Sequence, residues 1–250
     1  MGDLETTTVV LLVVAALVGG LIDSIAGGGG LIVVPSLVLA GLTPLETLST
    51  NKAQAVFGTG TSSTTYARAG LVDRRRVVPW ALASGGASAL GALVASSLPD
   101  DALEVFIPVA LVVIAVFFAM RRDLGDEDRA ARWSPVLLGV SLIPAIGFYD
   151  GVFGPGTGSF FMIALVGLGG LGVLRATAHT KVLNFTSNAG ALLVFAFTGE
   201  VLWALGIAMG VGQVLGASIG SRLAIRRGVG LIRPLLVAAC VAVALRELFG

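Results

Sequence analysis

Charge is what this sequence has least of. Only 12% of its 250 residues are Asp, Glu, Lys or Arg, against about 25% in an ordinary soluble domain, too few to coat a water-facing surface. Bases and acids nearly cancel, 16 against 15, for a net charge of +1, so no basic face offers itself to nucleic acid. The one cysteine, Cys240, lies in an apolar run; it excludes an intramolecular disulfide and leaves the redox compartment open. His179 is the only histidine, and with no second His or Cys nearby neither a metal site nor a cofactor is expected; a packed or hydrogen-bonded role fits it better. The opening residues carry Asp3 and Glu5 but no Lys or Arg, so the positive n-region of a secretory signal is missing. Apolar residues make up 56% and mean hydropathy is +0.96, which excludes disorder. The 35 glycines follow no Gly-X-Y period, which excludes collagen. The remaining class is an all-α polytopic membrane protein.

A helix needs about 20 apolar residues to cross the hydrocarbon core. Runs near that length lie at 77–98, 101–120, 182–198, 200–221 and 230–249, with a more polar candidate at 49–68. Regions 8–41 and 134–170 are longer than one span and are interrupted by Gly27-Gly28-Gly29-Gly30 and by Gly154-Pro155-Gly156-Thr157-Gly158. Glycine and proline break helices, so each region reads as two helical arms around an irregular apex. The hydrophilic stretch 121–133 splits the chain into a first transmembrane repeat, 1–120, and a second, 134–250.

The two parts resemble each other. Asp23 answers Asp150 at an offset of 127, and Lys52 answers Lys181 at 129. Ala83, Ala87 and Gly91 answer Gly212, Gly216 and Gly220, again at 129. Lys52 and Lys181 are the only lysines, which leaves fourteen arginines. If each broken region crossed the membrane once, one of the clusters Arg74–Arg76 and Arg222/Arg226/Arg227/Arg233 would fall outside. If each is a re-entrant hairpin beside three crossing helices, thirteen arginines fall on one face and Arg246 alone dissents. By the positive-inside rule that face and the 121–133 linker are cytoplasmic, and the N-terminus is outside. Three crossings per half make the second half inverted, which is a transporter architecture.

Irregular backbone at membrane depth must line protein or a water-filled cavity. The arms that begin near Leu31 and Ser159 present helix N-termini there, which favour an anion. Gly28, Gly29 and Gly30, with Gly156, Thr157 and Gly158, would let it approach; the alternative is that these glycines serve only tight turns and close packing. Asp23 and Asp150 are the only acids deep inside apolar runs. They read either as carboxyls that take part in proton coupling or as caps on the apices that follow them. Lys52 and Lys181 either attract an oxyanion as point charges or snorkel to the interface. Asn51, Gln54, Thr180, Asn184 and Asn188, close to them along the chain, would supply hydrogen bonds.

Three matches carry less. Ser49-x-x-Lys52 fits a serine-acylase pattern without its companion motifs. Gly154-Pro-Gly-Thr-Gly-Ser159 lacks the Lys of a phosphate loop. Gly206-x-x-x-Gly210 and the stripe Gly212, Gly216, Gly220 mark helix packing, within the protomer or between two copies in a homodimer.

The stretches 20–35 and 49–54, with 147–160 and 176–188 in the second half, resemble the TauE/SafE family of sulfite-exporter-like membrane proteins. The resemblance covers the chain apart from its acidic N-terminus and the linker. It implies a multi-pass permease of the cell (cytoplasmic) membrane, with sulfite, sulfonates, sulfoacetate or thiosulfate as the associated substrates. Asp23 and Asp150 depart from other members, which carry small residues there. The resulting expectation is a secondary transporter of a small, sulfur-containing anion, working by alternating access, with proton coupling as the preferred guess. A passive anion channel is the first rival. A membrane enzyme is less favoured, because no nucleophile–base or metal cluster is visible.

Overall fold

The computed structural model describes residues 5–99, 128–198 and 201–227. The expected spans 101–120 and 230–249, and most of the linker, lie outside the described residues. The described part is helical: α1 (Thr6–Ala26), α2 (Gly30–Leu39), α3 (Pro44–Arg68), α4 (Arg74–Ser97), α5 (Pro135–Val140), α6 (Leu142–Val152), α7 (Thr157–Gly167), α8 (Val173–Thr198) and α9 (Trp203–Arg227). Thr6–Ala26, Arg74–Ser97, Pro135–Val152 and Trp203–Arg227 are each long and apolar enough to cross a membrane. By contrast α2 has 10 residues and is about 15 Å long, half the hydrocarbon thickness.

Local chemistry sets the helix ends. Thr43 and Glu46 form a capping box with Pro44 in the first turn of α3, so two orphan N–H groups are satisfied reciprocally. Asp73 caps α4 by accepting from the Arg75 N–H at 3.0 Å. Two boundaries differ from the sequence reading. Region 134–170 has a second interruption, at Ser141 (φ −123, ψ −78), where the side-chain hydroxyl bonds back to the Leu137 carbonyl, a local alternative to the helical ladder. Helix α8 begins at Val173 rather than near 182. Its first turns carry Thr177, His179, Thr180 and Lys181, which a search for apolar runs passes over and which the fold buries.

The packing joins an apolar outer face to an interior in which polar side chains are buried beside an apolar core. Helices α3 and α8 pack against each other at the centre and bury Asn51, Lys52, Gln54, Lys181, Asn184 and Asn188. Around them lie α1, α4, α6 and α9, whose outward positions are apolar, as at Ile207, Val211, Leu215 and Ile219 on α9. The opposite face of α9 is the glycine stripe: a Cβ on Gly212, Gly216 or Gly220 would collide with α1 at Val13, Leu17, Leu21 or Ser24. Gly206 and Gly210 sit against Ala53 and Phe57 of α3, so both glycine motifs are used inside the chain. Lipid gives no hydrophobic drive for helices to associate, and small residues that permit close contact take over that task.

Helix pairs recur when the parts of the chain are exchanged. α1 packs on α9 as α6 packs on α4, α3 packs on α9 as α8 packs on α4, and α3 packs on α8. The match reaches single residues. Gly220 abuts Leu21 and Ser24, while Gly91 abuts Phe148 and Gly151, the positions 127 residues further on.

Candidate functional site

Both glycine clusters break their helices as the composition requires, and the two breaks meet. Gly27 adopts φ +81, and a Cβ there would strike the backbone of Gly158 and Ser159. Only glycine combines that conformation with that approach. Ser159 Oγ donates to the Ala26 carbonyl at 3.2 Å, tying one apex to the other. Tyrosines hold the arms: the Tyr66 hydroxyl donates to Ser24 O and the Tyr149 hydroxyl to Pro155 O, both at 2.8 Å.

Charge is arranged crosswise. Lys52 of α3 lies 2.8 Å from Asp150 Oδ1 of α6, and the two side chains are 1% and 3% exposed. Lys181 of α8 lies 3.1 Å from Asp23 Oδ2 of α1 and also donates to the Asp23 carbonyl. Each lysine therefore neutralises the aspartate from the other part of the chain. A buried charge without a partner is costly, and each buried lysine has its aspartate. Gly154, at φ +92, leaves the room that Lys52 occupies; a Cβ there would lie 2.9 Å from its Nζ.

The two carboxylates are not equivalent. Asp23 Oδ1 accepts the Gly29 N–H at 3.3 Å while Oδ2 meets Lys181, so this side chain both caps the apex and forms an ion pair. Asp150 gives Oδ1 to Lys52, and its buried Oδ2 has no hydrogen-bond partner among the described residues.

Between the apices lies a cavity of about 40 Å³. Its wall includes Gly28, Gly29, Gly30, Asn51, Gln54, Gly156, Thr157, Gly158, Asn184 and Asn188, with Asp23 and Asp150. Thus the N-terminal turns of α2 and α7 line it; there the Leu31 and Ile32 N–H groups bond to the Gly28 and Gly29 carbonyls, and those of Thr157 and Ser159 to the Gly154 and Gly156 carbonyls. Lys52, Thr180 and Lys181 are not part of the wall; the lysines pair with the aspartates that are, and the buried Thr180 hydroxyl has no partner among the described residues.

Three wall residues escaped the sequence reading, Ala55, Thr59 and Gln213, and Gly154 entered it only as part of the helix-breaking cluster. Ala55 and Thr59 occupy positions 129 residues before Asn184 and Asn188, so the repeat itself could have found them. Gln213 is a lone amide in the apolar run of α9, seated on Gly19, Gly20 and Gly58, and an intramembrane polar residue was its only signal. His179 lies outside the cavity wall and is hydrogen-bonded on both ring nitrogens.

Comparison with known proteins agrees with this architecture. The family described as sulfite exporter TauE/SafE matches residues 11–247. A Sinorhizobium protein named probable membrane transporter protein ORF9 is 51% identical over 217 residues, covering 87% of this chain and 83% of its own. A probable membrane transporter protein of Haemophilus influenzae is 39% identical, covering 82% and 81%. The probable membrane transporter protein YfcA of Escherichia coli K12 is also 39% identical, covering 87% and 81%. No solved structure matches the chain. The chain belongs to the TauE/SafE family of membrane transporters.

Proposed function

We propose that this protein is a secondary transporter of a small anion, of the sulfite or organosulfonate class, working by alternating access in the cell membrane and coupled to protons. The observation that carries the reading is the cavity where two broken helices meet, lined by the N-terminal turns of both. Helix N-termini favour negative charge. The crossed Lys52–Asp150 and Lys181–Asp23 pairs leave the surrounding protein neutral, so the incoming anion meets no net repulsion.

The halves 1–120 and 134–250 are taken as inverted repeats, with the N-terminus outside and the linker cytoplasmic. Both ion pairs then join one half to the other, and a rocking motion of the halves loads both. A proton on Asp150 weakens its hold on Lys52, which gives coupling a physical seat. The family name supports sulfite among the anions.

The test is transport by purified protein in proteoliposomes, with sulfite, sulfate, thiosulfate and sulfoacetate as the panel. At least one anion should accumulate under an imposed proton gradient, and its exchange should accelerate when the same anion is present on the far side. Flux without such acceleration would point to a channel instead. Asp150→Asn should abolish gradient-driven accumulation, and Lys52→Ala or Lys181→Ala should slow transport at least tenfold. Unimpaired transport in both lysine variants would remove the ion pairs from the mechanism.

A further inference from the structure

We infer that Gln213 is a substrate-contacting residue that sets which anion the cavity accepts. The inference rests on the anion-site reading above and deepens it.

Five carboxamides lie on the cavity wall: Asn51, Gln54, Asn184, Asn188 and Gln213. The first four are engaged or sealed at one end at least. Gln54 Nε2 donates to the backbone carbonyl of Asn51 at 3.1 Å and to Asn51 Oδ1 at 2.9 Å, while Gln54 Oε1 and Asn184 Oδ1 are sealed from any solute. Asn188 Nδ2 donates to the Asn184 carbonyl at 2.7 Å. Gln213 differs. Its side chain makes no hydrogen bond among the described residues, and neither amide atom is one of those sealed without a partner. The residue is 4% exposed, and that remnant opens on the cavity. Buried polar side chains nearly always find partners, so the contents of the cavity supply the partner of this one.

The seat of Gln213 is cut to its length. A Cβ on Gly20 or Gly58 would collide with its Oε1, and one on Gly19 would touch its Nε2. The duplication supplies the control. Gln213 answers Ser84 and Gly58 answers Ser187, both at an offset of 129, while Gly19 answers Ile146 at 127. Beside the long amide two neighbours are glycine; the matching places in the other part of the chain carry side chains. Ser84 is fully buried, donates to the Leu183 carbonyl at 3.4 Å and is not part of the cavity wall. The same helix pairing is therefore made there with a small, self-satisfied residue, and packing alone does not call for an amide. What Gln213 adds is a group that reaches the cavity, where its N–H can donate to an anion's oxygen. A site built to hydrogen-bond a solute rejects analogues that cannot make the bond.

The experiment separates contact from packing. Full-length protein in proteoliposomes is offered sulfite, sulfate, thiosulfate and sulfoacetate. Gln213→Met fills the same seat without an N–H donor. It should raise KM for the best-transported anion about tenfold and compress the differences in KM across the panel, with the thermal midpoint of the unloaded protein unchanged. The paired exchange Gln213→Ser/Gly58→Ser installs the residues of the other part of the chain, and it should keep the midpoint and show the same loss. Native KM values and ranking in both variants overturn the contact and leave the anion reading intact. A loss that comes with a lowered midpoint in both assigns Gln213 to packing and also overturns the contact. If none of these anions is moved by the native protein or raises its midpoint, the anion reading falls and this inference with it.

Discussion

His179 Nε2 accepts the backbone N–H of Asp73 at 3.2 Å, which fastens the turn between α3 and α4 to helix α8. Its Nδ1 meets the Arg175 carbonyl at 2.8 Å, so the hydrogen sits on Nδ1 and Nε2 is left to accept. The same anchor exists at the equivalent place in the other part of the chain: Thr50 Oγ1 accepts the backbone N–H of Leu202 at 3.1 Å. Residues 50 and 179, and 73 and 202, are both 129 apart. One task is therefore done by an imidazole in one place and by a hydroxyl in the other. His179→Phe should cost about 1 kcal/mol, the net worth of one hydrogen bond, read as a lower thermal midpoint in detergent. His179→Gln, which keeps an acceptor, should recover part of the loss. An unchanged midpoint for His179→Phe would show that the anchor contributes nothing.

The crossed ion pairs predict non-additive substitutions. Lys52→Met leaves the Asp150 carboxylate buried without its counter-charge, and Asp150→Leu does the same to Lys52. Breaking one partner of a buried pair costs about 3–5 kcal/mol, whereas replacing both by apolar residues is often neutral. The double variant Lys52→Met/Asp150→Leu should therefore be more stable than either single variant, as a double-mutant cycle on thermal or denaturant midpoints would reveal. Additive losses would mean that the two side chains are held by other contacts.

Two glycines on α4 separate packing from propensity. A Cβ at Gly91 would collide with the Phe148 carbonyl and with Gly151 of α6, whereas a Cβ at Gly86 meets nothing within 4 Å among the described residues. Overpacking costs about 1–3 kcal/mol, while a helical Gly→Ala substitution with free space gains about 0.5–1 kcal/mol. Gly91→Ala should lower the thermal midpoint and Gly86→Ala should raise it. The same sign for both would refute the close approach of α4 to α6.

Much of the cavity was legible in the sequence, because duplication leaves a mark that single polar residues do not. Asp23 with Asp150 and the two glycine clusters stood out as matched features, and all contribute to the wall. Duplication shows equivalence, however, and not proximity. The pairing of Lys52 with Asp150 rather than with Asp23 is a fact about how the parts of the chain interlock, and no offset encodes it. Gln213 escaped for a related reason: its counterpart 129 residues earlier is Ser84, so a search for matched features discards it. The packing nevertheless preserves the equivalence, since Gly20 abuts Gln213 as Gly147 abuts Ser84. Hydropathy misplaced the start of α8 because it scores polarity and not burial.

Asp128 gives a pH dependence that can be read outside the membrane-spanning helices. Its carboxylate accepts the Gly172 N–H at 2.6 Å and pairs with Arg175. These contacts strap the segment before α5 to the start of α8, reinforced by the Arg132 and Trp133 N–H groups on the Leu168 carbonyl. The hydrogen bond from Gly172 holds the carboxyl below its ordinary value; burial opposes it, and the attraction of Arg175 and Arg76 adds to it. A carboxylate whose pKa is depressed on folding contributes stability that is complete above its unfolded value, near 3.9, and is lost as pH falls through the folded one. The strap should therefore hold unchanged from pH 7 to pH 5 and loosen below about pH 4. Hydrogen exchange at Gly172, Arg132 and Trp133, corrected for intrinsic rates, should show protection falling in that window in the native chain and not in Asp128→Asn. Both Asp128 and Arg175 are nearly half exposed, so salt should screen their attraction while leaving the Gly172 bond. Protection of Gly172 should thus outlast high salt but not acid, and a loss in salt equal to that in acid would assign the strap to the ion pair alone.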